Sequence, residues 1–227
     1  MNAIYKNANE AFKHLYDKIL HKGSVLGDTR CLYNIGFYLT SPLDNKIDAE
    51  WRKWKQDYAE FEWEWYLSGD PSAIEIAKHA KIWNNCMDEN GNVNSNYGYQ
   101  WKRGDQIKYV VEELRNNNNS RRASVSIYDA KVRYNFENDT PCTYAIHFYI
   151  RNNELCMSVM MRSNDLWFGF CNDQYCFSRL QEMISKELCI EIGTYHHFVN
   201  NLHLYDKHLN KKEQYYESIN NQEDRSL

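Results

Sequence analysis

The feature that most constrains this chain is a change of hydrophobic period near residue 123. Ahead of it, apolar residues recur at helical spacing; beyond it they fall into short β-rich runs. A helix gathers residues three and four apart on one face, whereas a strand alternates its two sides. The switch therefore describes a chain that mixes helices with a sheet.

Phe12, Leu15, Tyr16, Ile19 and Leu20 predict an N-terminal helix that stops at Gly23. Trp51, Trp54, Tyr58, Phe61 and Trp65 predict a second, ended by Gly69-Asp70-Pro71. Glu62 lies one turn from both Tyr58 and Tyr66, so an acid shares the edge of an aromatic face. Ile107, Val110, Val111 and Leu114 mark a third helix, and Phe177, Leu180, Ile184 and Leu188 a fourth. Strands are expected over 125–128, 144–150 and 155–161, the last two joined by an Asn152-Asn153 turn. In a final strand over 194–205, Tyr195, His197, Val199, Asn201, His203 and Tyr205 share one side. That side is too polar for plain core and is expected to border a pocket.

With 227 residues and no proline- or glycine-rich linker, the chain reads as one domain, residues 1–210, followed by a polar tail over 211–227 that is solvated or partly disordered. Eighteen tyrosines and seven tryptophans imply aromatic surface buried in a core or at a subunit interface. A net charge of -4 argues against a nucleic-acid polymer as ligand, while a mononucleotide needs only a local arginine cluster. Seven cysteines, an odd number without a CxxC pair, favour reduced thiols and a cytoplasmic location. Charged residues scattered through the first twenty positions exclude a signal peptide or membrane span there.

Pro141-Cys142 stands ahead of Arg162-Ser163-Asn164-Asp165 and Gly169-Phe170-Cys171-Asn172-Asp173. Together these offer a nucleophile, an anion grip and a reader of a base. A cysteine becomes nucleophilic when cations stabilise its thiolate, and Arg162 and Arg121-Arg122 are the candidates. Otherwise Cys142 is a small packed hydrophobe, and Asp173 the N-cap of the fourth helix. His196, His197, His203 and His208 match no usual zinc spacing, so no metal is expected.

These residues resemble the thymidylate synthase family, and within it most closely the phage-type deoxycytidylate hydroxymethylases. The matching segments are Glu62-Trp63-Glu64-Trp65-Tyr66, Ile82-Trp83, Asn94-Ser95-Asn96-Tyr97-Gly98, Asp105-Gln106, Ser120-Arg121-Arg122, Cys142-Thr143, Arg162 through Asp173, and His203-Leu204-Tyr205. The resemblance implies an α/β (α+β) fold of thymidylate synthase type: a single domain with a mixed sheet flanked by helices, assembled as a homodimer. Three departures stand out. The early phosphate loop keeps neither its arginine nor its Thr-Gly pair in register, leaving Arg30 as a substitute. Thr143 replaces the histidine after the nucleophile, as in the hydroxymethylases, and the long folate-closing tail is missing.

What the resemblance implies at the site is specific. Cys142 adds to C6 of a pyrimidine, Glu62 handles protons, and Tyr97 assists removal of the C5 proton. Arg162, Ser163 and Asn164 hold the nucleotide, with Arg121 and Arg122 reaching over from the partner to the phosphate. His203 and Tyr205 meet the sugar. Ile82, Trp83, Asp165 and Gly169 meet the co-substrate, 5,10-methylenetetrahydrofolate. Asp173 occupies the base-reading position, an asparagine in thymidylate synthases, and its carboxyl favours cytosine over uracil. The expected activity is hydroxymethylation of C5 of deoxycytidylate. The alternatives are action on CMP, methylation in place of hydroxymethylation, a dUMP-specific synthase or hydroxymethylase, and a catalytically silent nucleotide-binding protein.

Overall fold

The computed structural model describes residues 2–132 and 137–223. The chain opens with β1 (Ala3–Tyr5) and α1 (Ala8–Lys22). Asn7 caps α1 by accepting from Glu10 N, while the Glu10 carboxylate accepts from Lys6 N, so two of the helix-start donors are satisfied reciprocally. The helical stripe read from the sequence is its buried face: Phe12, Leu15, Tyr16 and Ile19 lie in the core. Each such side chain contributes about 1.5–3 kcal/mol through removal from water.

A hairpin of β2 (Ser24–Leu26) and β3 (Thr29–Leu39) follows, then α2 (Gln56–Ser68), α3 (Tyr97–Lys102), α4 (Gln106–Asn116) and β4 (Ser124–Ser126). The remainder comprises β5 (Thr143–Arg151), β6 (Glu154–Asp165), α5 (Gly169–Leu188), β7 (Glu191–Tyr205), α6 (Asp206–Leu209) and α7 (Lys212–Glu223). The sheet runs β1-β3-β7-β6-β5-β4, with β2 hung on β3. β1 with β3 and β6 with β7 are parallel, and the other neighbours antiparallel, so the sheet is mixed as expected. Asn152 and Asn153 adopt φ of 51° and 63°, the left-handed pair that a tight hairpin between β5 and β6 requires.

α5 buries a broad face, and Gln181 at its centre donates to Leu155 O of β6 and Gly193 O of β7. Helices cover one face of the sheet. The other face, with Tyr38, Tyr144, Met160, His196 and Phe198, is only half-buried.

Three expectations change. Trp51 and Trp54 precede α2 rather than opening it; Trp51 instead stacks on Phe12 and packs on Trp167. The tail is not merely solvated, because Tyr215 of α7 is buried against Tyr16 and Trp51. On β7 only the end of the polar side borders an opening. Tyr195, His197 and Val199 are core, Phe170 of the first turn of α5 packs on His197, and Asn201, His203 and Tyr205 beyond it are half-exposed.

Candidate active site

The parallel pair β6 and β7 ends where α5 begins, and in open mixed sheets the crevice beyond such carboxyl ends is where ligands sit. Register places Ser163 beside Asn201 and Asp165 beside His203. Ser163 Oγ lies 3.5 Å from His203 Nδ1, the outer limit of a hydrogen bond. Into the same crevice come Cys142 at the head of β5, Tyr97 from α3 and Glu62 from α2. Their charges act on one another: Asp173 on Glu62, Tyr97 and Cys142, and Asp165 on Asp173.

Glu62 is 5% exposed, and its carboxyl accepts from Tyr58 Oη at 3.2 Å. Tyr58 Oη in turn accepts from Trp83 Nε1 at 2.9 Å, so Trp83 reaches the acid through a phenol that the sequence marks only as an aromatic neighbour. Burial, with the nearby Asp173 second, raises the Glu62 pKa to about 8. Asp173 lies inside α5, one turn beyond its start, which removes the helix-cap reading. Its Oδ2 accepts from Asn164 Nδ2 at 2.7 Å, and burial raises its pKa to about 7 against that hydrogen bond. Asp165 has a different local job: its two oxygens accept from Trp167 N and Phe168 N, shaping the turn into α5. Buried Arg52 pins the same turn by donating to Trp167 O at 2.7 Å.

Cys142 is half-buried. Burial pushes its thiol up to about 11, opposed by the Arg162 guanidinium. The segment bearing it is held from two sides. Arg162 donates from Nε to Pro141 O and from Nη2 to Thr140 O, while Asp139 accepts from Ser95 N at 2.6 Å and Ser95 Oγ at 2.7 Å. Tyr97 Oη accepts from Thr143 N at 3.4 Å, and its ring stacks on Phe177. Tyr97 opens α3 under an Asn96 cap. A Cβ on Gly98 would stand 1.7 Å from Tyr66 O, so only glycine lets α3 approach α2 this closely. Asp139 carried no sequence signal; its role depends on a loop contact between residues 44 positions apart.

A profile described as thymidylate synthase matches residues 10–224. The chain belongs to the thymidylate synthase family. The thymidylate synthase of Bacillus licheniformis is 28% identical over 177 residues, which are 71% of this chain and 63% of that protein. That of Vesicomyosocius okutanii subsp. Calyptogena okutanii is 30% identical over 158 residues, 66% of this chain and 60% of that one. The chain thus spans less than two thirds of the length of these relatives.

Within this family member, several expected site residues stand apart from the crevice. Arg122 is exposed and pairs with Glu113 at 3.0 Å, and Arg121 beside it is exposed. Neither appears among the charges acting on Cys142, whose one cationic influence is Arg162. Ile82 is 62% exposed next to half-buried Trp83. Arg30 pairs in register with Leu204, on the side of β7 away from His203 and Tyr205, and its guanidinium turns back toward Leu20 O. It is therefore a poor substitute for the missing phosphate-loop arginine. Gly169 makes room inside the protein, since a Cβ there would stand 2.7 Å from Asn164 Nδ2. Among the described residues no three His, Cys, Asp or Glu side chains gather to hold a metal, and no helix is long and apolar enough to cross a membrane.

Proposed function

We propose that this protein transfers a one-carbon unit to C5 of deoxycytidylate and releases 5-hydroxymethyl-deoxycytidylate. One observation carries the choice of base: the half-buried carboxyl of Asp173, which accepts through Oδ2 from Asn164, at the position where thymidylate synthases read uracil with an amide. Cytosine offers an acceptor at N3 and a donor at the C4 amine. A carboxyl with a pKa near 7 can be protonated toward the first while accepting from the second.

C5 of a pyrimidine is a poor nucleophile until a thiol adds to C6. In this reading the Cys142 sulfur bonds C6, the π pair of the C5–C6 bond becomes available at C5, and Asp173 meets the charge that develops at N3. C5 would bond the methylene carbon of the folate co-substrate, and loss of the C5 proton with departure of tetrahydrofolate would leave an exocyclic methylene. Tyr97 and Glu62 manage the proton lost from C5, water adds at the exocyclic carbon, and the thiol leaves C6. Arg162, with an Nη1 that has no protein acceptor among the described residues, and Ser163 take the phosphate; His203 and Tyr205 take the sugar. The exposed Ile82 beside Trp83, hydrogen-bonded through Tyr58 to Glu62, gives a flat heterocycle an apolar step next to the proton-handling acid.

Arg121 and Arg122 are proposed to complete the site of a second copy. The half-buried aromatic face of the sheet and the exposure of both arginines support a dimer of this kind. The seven cysteines are all free thiols, which supports a reducing compartment and hence the cytoplasm.

The test is tritium release from C5-labelled dCMP, CMP and dUMP with the folate, followed by product analysis. Release from dCMP with a hydroxymethyl product is expected. A preference for dUMP would remove the cytosine reading, and release from none of the three would favour a silent nucleotide-binding protein.

A further inference from the structure

We infer that Asn164 is a positioning residue that decides which oxygen of Asp173 carries its proton, and thereby makes the site read cytosine rather than uracil. This rests on Asp173 as the reader of the base. A neutral carboxyl alone is ambiguous. Its O–H can donate to cytosine N3 while its C=O accepts from the amine, or the O–H can donate to uracil O4 while the C=O accepts from N3–H. The same group pairs with either base according to which oxygen holds the proton.

One hydrogen bond biases that choice, from an Asn164 amide whose own Oδ1 is buried without a partner among the described residues. Asn164 is 3% exposed at the end of β6, and its Nδ2 donates into Oδ2 of Asp173 at 2.7 Å. An oxygen already accepting a short amide hydrogen bond is the poorer site for a proton, so the proton is left to Oδ1. In the inferred pose N3 of the base faces Oδ1, so Oδ1 donates to N3 and Oδ2 accepts from the C4 amine. The pair is walled in: a Cβ at position 169 would stand 2.7 Å from Asn164 Nδ2 and 3.4 Å from Asp173 Oδ2. Reversing the Asn164 amide would place the proton on Oδ2 and make Oδ1 the acceptor, the arrangement suited to N3–H of uracil. Asn164 therefore acts through Asp173.

The experiment measures equilibrium binding of dCMP and of dUMP by calorimetry, without folate, from about pH 6 to about pH 9, for the wild type, Asn164→Ala and Gly169→Ala. The wild type should prefer dCMP, with affinity falling as Asp173 ionises above about pH 7. Both variants should lose at least about tenfold of the dCMP-to-dUMP preference, the scale of one unpaired buried partner. The falling limb should also move to higher pH, because the hydrogen bond that held the Asp173 pKa down is gone. Gly169→Ala reaches the pair by pushing Asn164 aside and carries the test if Asn164→Ala does not fold. A wild type without dCMP preference defeats the reading of the base itself. A wild type that prefers dCMP at an affinity independent of pH, or variants that keep either the preference or the limb, overturns the role of Asn164.

Discussion

Glu62→Gln probes the physics of the site without any substrate. Glu62 is 5% exposed, and burial followed by the charge of Asp173 raises its pKa from 4.5 to about 8. Between those two values the folded protein binds a proton that the unfolded chain has released. The native state is thus fully supported below about pH 4.5 and loses that support as pH rises toward 8. Each pH step of one across that interval removes about 1.36 kcal/mol, so the loss is under about 1 kcal/mol at pH 5 and about 3 kcal/mol at pH 7. Glutamine does not titrate. It keeps an oxygen for Tyr58 Oη but leaves an amide N–H₂ without a partner, a fixed cost of about 1–3 kcal/mol at every pH. The variant's stability relative to wild type should therefore improve by about 2 kcal/mol between pH 5 and pH 7, whatever its offset. Urea unfolding at one protein concentration measures this, the concentration being held because subunit association adds to apparent stability. A relative change below about 0.5 kcal/mol, or one of opposite sign, would show that Glu62 is ionised in the native protein and would remove it as proton handler.

Cys142→Ser should keep nucleotide binding by calorimetry yet lose tritium release, whereas Cys171→Ser and Cys176→Ser should retain turnover; activity in the first variant refutes covalent addition. Asp173→Asn should move kcat/KM from dCMP toward dUMP by more than about tenfold, since each unpaired buried partner is worth about 1–3 kcal/mol. Cys142→Ser and Arg122→Ala, each inactive alone, should regain activity when unfolded and refolded together. Heterodimers that stay inactive would show that Arg122 does not serve a partner's site.

Local pattern was enough to place α1, α4 and the β5–β6 hairpin, because each rests on its own periodicity or on the left-handed preference of Asn152-Asn153. β3 carries no clear period although it is 11 residues long and paired on both sides. Asn34 at φ 54° breaks its alternation, and its partner is β7, far along the chain. α5 starts at Gly169, earlier than its apolar stripe suggests, because its buried face is broad and carries polar residues such as Gln174, Ser178 and Gln181 into the core, leaving solvent the side that bears Arg179, Lys186 and Glu187. No period reports a helix of that kind. Roles that depend on contacts between distant segments were equally hidden: Asp139 on Ser95, Arg52 on Trp167, and the Trp83–Tyr58–Glu62 relay. The residues of the crevice were legible through family resemblance; composition alone could not separate Cys142 from its neighbours.

The structure does separate them, by what each thiol can reach. Cys171 and Cys176 are fully covered and donate to Leu166 O and Ala59 O, the ordinary fate of a small buried hydrophobe. Cys142 is half-open and lies under the influence of Arg162, yet its thiol is still pushed up to about 11. Among the described residues that act on it, Asp173, Asp139 and Cys86 oppose the thiolate and Arg162 favours it. If Cys142 is the nucleophile proposed above, that balance would gate it. Protonating Asp173 removes one opposing charge, and the same event prepares Asp173 to donate to cytosine N3. In the function proposed above, base recognition and thiol activation would share a single proton, and a base that leaves Asp173 ionised would leave the thiol closer to its inert state.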